Sequence, residues 1–340
     1  MFHSYSREKR MFQQTTPEMH FAIQAVSTAC FLVKSIQRET ILQFLEKEDR
    51  SPVTVADFSV QAVVAMMLEE TYPGSELVGE ESADALRSPK GALVLPQVLS
   101  YIKRIRPKIQ PESLIDWIDR GAACPSGSYW VLDPVDGTKG FLRGGQFAVA
   151  LAYLRDGIVQ LGVLGCPSLG LLSSNWTSSQ GVLFAAARGK GAWVSFSIEK
   201  PDFIPMKVSQ IGDPLLATLL TSYESSHTNV EQIDTFVKVF GLVKEPIRMD
   251  SQAKYGVLAA GKGDLILRFL SSDQPAYKEK LWDQAAGSII VEEAGGKVSD
   301  LDGKALDFTT GRKLVNNRGL LVSNAYLHDA ALRVLEQIKA

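Results

Sequence analysis

Apolar residues recur at Ile23, Val26, Cys30, Val33 and Ile36, behind a Thr16-Pro17 pair that caps and opens a helix. A second helix is expected from Asp57 through Glu70. Val60, Val63, Val64, Met67 and Leu68 mark its apolar face, and Pro73-Gly74 ends it. Val78 then leads into Gly79-Glu80-Glu81-Ser82. Residues 84–128, with scattered Pro and Gly, show no clear period. Beyond them the pattern changes to that of strands: Tyr129 to Asp133 is a compact apolar run. Phe147, Val149, Leu151 and Tyr153 alternate and face Ile158, Gln160 and Gly162 across Asp156-Gly157, a hairpin signal. Residues 182–186 and 192–196 form a further expected pair.

Pro201, Pro205 and Pro214 mark a boundary, after which strands alternate with helices. Strands are expected at 216–221, 264–269 and 319–323, and helices at 229–240, at 283–294 and at the C-terminus. The chain has 340 residues, enough for roughly two domains at about 150 residues each. We place them at 1–206, an α+β domain with an antiparallel sheet, and 207–340, an α/β domain.

Hydrophobic residues make up 45% and charged residues 22%, which excludes a disordered or fibrous chain. Lys plus Arg number 36 against 38 Asp plus Glu, so no cationic excess is available for a nucleic-acid surface. The basic cluster Lys103, Arg104, Arg106 and Lys108 reads as a solvated helix face. Cys30, Cys124 and Cys166 lie far apart with no C-x-x-C pair. They support neither a disulfide framework nor a thiolate zinc site, and point to a reducing, cytoplasmic setting. No apolar run approaches the roughly 18 residues of a membrane span, so no membrane association is expected. The first fifteen residues carry Arg7, Lys9 and Arg10 without an apolar core. This argues against a secretory signal and leaves an organellar transit segment open.

The strongest chemical signal is Trp130-Val131-Leu132-Asp133-Pro134-Val135-Asp136-Gly137-Thr138, a buried strand running into two carboxylates. Pro134 is expected to stop the ladder and Gly137 to permit a sharp turn, so that both acids converge beyond the strand end. Carboxylate oxygens in such a turn suit a hard cation such as Mg²⁺, and the N–H groups of Gly137 and Thr138 offer a phosphate seat. A lone D-x-x-D is more often an Asx turn. However, Asp57, Glu80 and Asp283 also sit at element boundaries. Singly, Asp57 and Asp283 read as helix N-caps and Glu80 as a surface acid; together they suggest a metal site. Gly256 to Lys262 spells a P-loop-like G-x-x-x-x-G-K, but Gly263 stands where Ser or Thr is needed. His3, His20 and His328 lack partner spacing and read as surface or partly packed residues. The cysteines read as core, with Cys124 the exposed exception.

V-T-V-A-D ending at Asp57, G-E-E-S at Glu80, D-P-V-D-G-T from Asp133 and W-D-Q-A-A-G around Asp283 follow in the order found in the inositol monophosphatase superfamily. The chain resembles that superfamily over about residues 18–335. Within it, it is most similar to the 3′(2′),5′-bisphosphate nucleotidases, through Asp133 to Phe147, Gly165-Cys166-Pro167, Asp250 to Tyr255 and Tyr277 to Asp283. The resemblance implies a layered αβαβα sandwich, and two or three Mg²⁺ ions. Glu80, Asp133 and the Val135 carbonyl would hold one, Asp133, Asp136 and Asp283 a second, and Glu80 with Asp57 a looser third. It implies that Asp57 and Thr138 activate a water. Substrate would be bound by Gly137, Thr138, Ser251, Lys254 and Arg268, with His227 at the base. The implied reaction is 3′-phosphate removal from adenosine 3′,5′-bisphosphate and 3′-phosphoadenylyl sulfate by a monomer. An inositol polyphosphate 1-phosphatase and a non-catalytic nucleotide sensor remain alternatives.

Overall fold

The structure, a computed structural model, describes residues 16–39, 44–46, 52–173, 176–223, 229–270 and 276–339. The N-terminal tail and His227 lie outside the described residues. The first helix, α1 (Pro17–Glu39), buries ten residues, among them Val26, Cys30, Val33 and Ile36. It is long and apolar enough by composition to cross a membrane, contrary to the sequence reading; its apolar side instead packs in the core. A short antiparallel pair, β1 (Phe44–Glu46) with β2 (Pro52–Thr54), leads into α2 (Val55–Thr71), whose buried residues run round the whole helix.

The main sheet has seven strands in chain order: β3 (Glu76–Gly79), β4 (Ser128–Asp136), β5 (Ala148–Arg155), β6 (Ile158–Cys166), β7 (Val182–Ala187), β8 (Gly191–Ser195) and β9 (Ile204–Met206). Only β3 and β4 run parallel; the other neighbours are antiparallel. The expected hairpin turns at Asp156-Gly157, both at positive φ, and the pair β7–β8 forms as expected. Residues 84–128, unreadable as a period, contain α3 (Asp84–Arg87), α4 (Gly91–Ile105) and α5 (Pro111–Asp119). Pro96 lies inside α4 and masks a buried stripe of Val94, Val98, Tyr101 and Ile102. Arg104 at its end pairs with Glu39, in keeping with a solvated basic face.

A short helix, α6 (Thr138–Leu142), follows β4. The second sheet runs β11 (Ile247–Arg248), β10 (Leu219–Thr221), β12 (Leu265–Arg268), β14 (Leu320–Ser323), β13 (Lys297–Ser299), with parallel pairs around β10 and antiparallel pairs around β14. Its helices are α7 (Val230–Phe240), α8 (Ala253–Ala259), α9 (Ala285–Glu293) and α10 (His328–Gln337). α1 and α2 cover one face of the main sheet. α8 and α9 lie between the sheets, and α7 and α10 cover the far face of the second, giving the expected five layers. Gly162 of β6 lets α9 come close: a Cβ there would stand 2.8 Å from the Ala286 carbonyl oxygen. The P-loop-like stretch is largely α8, whose Gly256 sits against the Phe184 ring.

His328, expected near the surface, is buried between the Ser299 and Ser323 hydroxyls at 3.0 and 2.9 Å. Burial, with help from Lys297, pushes its imidazole down to about 4. The folded state therefore favours the neutral ring. Its contribution is full above about pH 6.5 and falls away as pH drops from there towards 4. In urea titrations, the stability advantage of the wild type over His328→Gln should shrink between pH 7 and 4.5.

Candidate active site

Parallel pairing of β3 and β4 sets Gly79 opposite Leu132, so Glu80, just past the end of β3, lies beside Asp133 within β4. The Glu80 N–H donates to the Leu132 carbonyl at 3.2 Å, holding them there. Pro134 does not end β4. The ladder to β5 skips from Asp133↔Ala150 to Asp136↔Ala148, so Pro134 and Val135 form a bulge and the strand resumes at Asp136. A proline cannot donate to the ladder, and the bulge accommodates this. The chain then turns at Gly137, φ +86°, where a Cβ would lie 3.1 Å from the Ser251 Cβ. The Thr138 hydroxyl donates to the Val135 carbonyl at 3.1 Å. That oxygen keeps a second lone pair.

Asp57 is not the N-cap expected of it. Thr54 caps α2, and Asp57 is the reciprocal residue of a capping box: its Oδ2 accepts from the Thr54 N–H at 2.7 Å and hydroxyl at 2.5 Å. Asp283 is not a cap either. It precedes Gln284, the residue at the N-cap of α9, in a turn closed by the Leu281 carbonyl. Gln252 joins these parts. Its N–H donates to Asp136 at 2.6 Å, while its side-chain amide donates to the Trp282 carbonyl at 3.0 Å and accepts from Gly287 N–H at 3.1 Å.

The acids repel one another. The Asp133 carboxyl, 2% exposed, is pushed well above the usual carboxylate range by burial first, then by Glu80, Asp136, Asp283 and Asp57. Burial also raises Asp136, against the pull of Lys254, and raises Asp283, against the pull of Arg268. Asp133 Oδ1 is buried and accepts no hydrogen bond within the protein. Among the described residues no three His, Cys, Asp or Glu side chains form a ready-made metal-ligating group. Yet a buried carboxylate oxygen without a donor, facing further acids, has the chemistry of a hard-cation ligand: a divalent ion would relieve both the repulsion and the desolvation. The donor set fits Mg²⁺.

Directly beside Gly137, Ser251 holds a positive φ of 69°, unusual for a residue with a Cβ. Lys254 is buried rather than solvated. Its Nζ donates to Ser251 and Met249 carbonyls at 2.9 and 3.2 Å and to the Ser222 hydroxyl at 3.1 Å, and burial pulls its ammonium down to about 8. Arg268 is half-buried at the end of β12. Its Nε meets Glu279 at 2.9 Å, and a second guanidinium nitrogen donates to the Tyr277 hydroxyl at 3.3 Å. Burial works against its charge, but Glu279 outweighs that and holds it charged. The sequence reading quoted Gln252, Tyr255, Glu279 and Gln284 within its motifs but gave them no role; the last three continue the network from Tyr255 through Gln284 to Glu279. Their signal was an excess of polar residues in segments otherwise buried. Cys30 and Cys166 are buried and Cys124 is exposed, as expected.

The sequence model of the inositol monophosphatase family matches residues 15–340. This chain is a member of the inositol monophosphatase family. The family is generally metal-dependent and acts on small phosphate esters. Among curated relatives, a 3′(2′),5′-bisphosphate nucleotidase of Oryza sativa is 38% identical over 338 residues, spanning 94% of this chain and 93% of its own. One from Dictyostelium discoideum is 39% identical over 319 residues, spanning 91% and 93%. The fold matches the Thermotoga maritima IMPase with a TM-score of 0.66, at 20% identity and covering 95% and 98% of the two chains. It also matches CysQ from Bacteroides thetaiotaomicron, TM-score 0.61 at 22% identity, covering 92% and 99%.

In this member of the family, Asp133→Asn removes a charge from the crowded carboxylates and adds a donor among them. The metal-free variant should melt higher than metal-free wild type, and its melting temperature should no longer rise when Mg²⁺ is added. Differential scanning calorimetry with and without Mg²⁺ measures both.

Proposed function

We propose that this chain is a Mg²⁺-dependent 3′(2′),5′-bisphosphate nucleotidase that removes the 3′-phosphate of adenosine 3′,5′-bisphosphate, giving AMP and phosphate, and treats 3′-phosphoadenylyl sulfate likewise. The observation that carries it is the buried, mutually repelling carboxylate group around Asp133, with the cations Lys254 and Arg268 close by. Relatives named for that activity, similar over more than nine-tenths of the chain, support the substrate.

In this reading Glu80, Asp133, the Val135 carbonyl, Asp136 and Asp283 would hold two Mg²⁺ ions, and Asp57 with Glu80 a third. Bound Mg²⁺ supplies charge neutralisation at the phosphoryl oxygens and an acidified water. The Thr138 hydroxyl oxygen would accept from and orient an attacking water, and the Asp57 carboxylate would take its proton. Asp57 is fixed for this by its bonds to Thr54, and Thr138 by its bond to Val135. The backbone of Gly137 and Thr138 seats the reacting phosphate. Ser251 and Arg268 meet the nucleotide and its unreacted phosphate, Arg268 through guanidinium donors beyond those spent on Glu279 and Tyr277. Lys254 acts chiefly by holding the Ser251 turn and by its charge, and His227 lines the base. The proposal keeps the division into halves 1–206 and 207–340, in a monomer working in the cytoplasm.

Phosphate release from adenosine 3′,5′-bisphosphate, inositol 1,4-bisphosphate and 3′-AMP, with and without Mg²⁺, tests this. The nucleotide bisphosphate should have the highest kcat/KM, and only with Mg²⁺. Equal or better turnover of the inositol ester would assign an inositol polyphosphate 1-phosphatase, and tight nucleotide binding without release would assign a sensor. Asp283→Asn should lower kcat by about 10³-fold, the loss of several kcal/mol of electrostatic stabilisation. Arg268→Gln should raise KM for the bisphosphate about tenfold and leave KM for 3′-AMP near wild type.

A further inference from the structure

Arg312 lies in the long loop between β13 and β14, far in sequence from every acid of the site. Its backbone belongs to the second half of the molecule. The Arg312 carbonyl accepts from Leu281 N–H at 3.2 Å, and Leu314 N–H donates to the Glu279 carbonyl at 2.9 Å, so the loop is laced to the segment that delivers Asp283. Its side chain belongs to the first half. One terminal nitrogen donates to the Gly121 carbonyl at 2.8 Å and the Ala123 carbonyl at 3.3 Å, and the other donates to the Gly79 carbonyl. The guanidinium also stacks on the Trp282 ring, its carbon 4.8 Å from the ring centre.

Gly79 immediately precedes Glu80, and Trp282 immediately precedes Asp283. One half-buried guanidinium therefore grips the residue before an acid of the main sheet and the residue before an acid of the other half. Burial pulls against its charge, while Cys124 and Glu80 favour it. Lysine could not replace it: a point charge has neither the planar fork for carbonyls in two segments nor a flat face for an indole.

We propose that Arg312 is a positioning residue that sets the spacing between Glu80 and Asp283, and so the affinity of the site for divalent metal. This rests on the metal-binding reading above. It requires no contact between Arg312 and substrate.

The test is calorimetric titration of the full chain with Mg²⁺, without substrate, for wild type, Arg312→Lys, Arg312→Ala and the control Arg318→Ala, which removes a surface pair with Asp302. Both Arg312 variants should bind Mg²⁺ about 10- to 100-fold more weakly, the usual cost of losing a group that orients metal ligands, and the control should match wild type. In turnover, the Mg²⁺ concentration for half-maximal rate should rise while substrate KM at saturating Mg²⁺ stays unchanged. Wild-type Mg²⁺ affinity in a folded Arg312→Ala overturns the inference alone. Should that variant fail to fold, Arg312→Lys decides: wild-type affinity overturns the inference, and a loss of tenfold or more upholds it. A wild-type chain that binds no Mg²⁺ overturns the metal reading and this inference with it.

Discussion

Like charges held together out of water are the constraint around which this molecule is organised. At an effective dielectric of about 20, two carboxylates about 4 Å apart repel by roughly 4 kcal/mol, and burial adds to that cost. At Asp133, Glu80, Asp136, Asp283 and Asp57 all push in that direction. Nothing in the fold requires an acid at that depth. The packing of the sheets and helices instead supplies the rigidity that keeps the carboxylates from moving apart into solvent. The capping box at Asp57, the parallel register that fixes Glu80, the bulge at Asp136 and the turn before α9 each hold the backbone of one acid in place, so the acids cannot move apart by a shift of the chain.

The acids come from elements packed on two different sheets, so their mutual spacing depends on a seam. Polar contacts that cross it include the Gln252 N–H to Asp136 at 2.6 Å, Arg143 with Asp250 at 2.7 Å, the Tyr129 hydroxyl to the Phe308 carbonyl at 3.2 Å, Arg188 with Glu292 at 3.0 Å, and Arg312 with Gly79. Apolar packing of α8 and α9 between the sheets supplies the remainder. A seam built this way resists sliding, because hydrogen-bond geometry is lost over a few tenths of an ångström, whereas an apolar contact tolerates it.

Much of the architecture was legible because it rests on local periodicity. α1, the β5–β6 hairpin, β7–β8, β12, β14 and the terminal helix all follow from residue spacing and turn chemistry. The three helices of residues 84–119 escaped because Pro96 breaks the visible stripe and α3 is a single turn. The acids were visible as a set, through motif order, but their local roles were not. Asp57 and Asp283 read as caps because cap preference concerns the first helical turn, and sequence alone cannot say whether Thr54 or Asp57 occupies it. The strand's passage through Pro134 was hidden for a similar reason, since a bulge is set by the partner strand. Contacts between distant segments, such as Gln252 with Trp282 or Arg312 with Gly79, leave no periodic trace.

The near-touch of Gly137 and Ser251 bears on how such a site can diversify. The Gly137 backbone and the Ser251 side chain meet there so closely that a Cβ on Gly137 would lie 3.1 Å from the Ser251 Cβ, and each residue holds a left-handed conformation. A side chain on Gly137 would press on Ser251 and put a Cβ at a left-handed position, so this junction resists remodelling by substitution. Variation in which phosphate esters are accepted has to come from the outer walls, where added or lost side-chain volume leaves the acids where they stand.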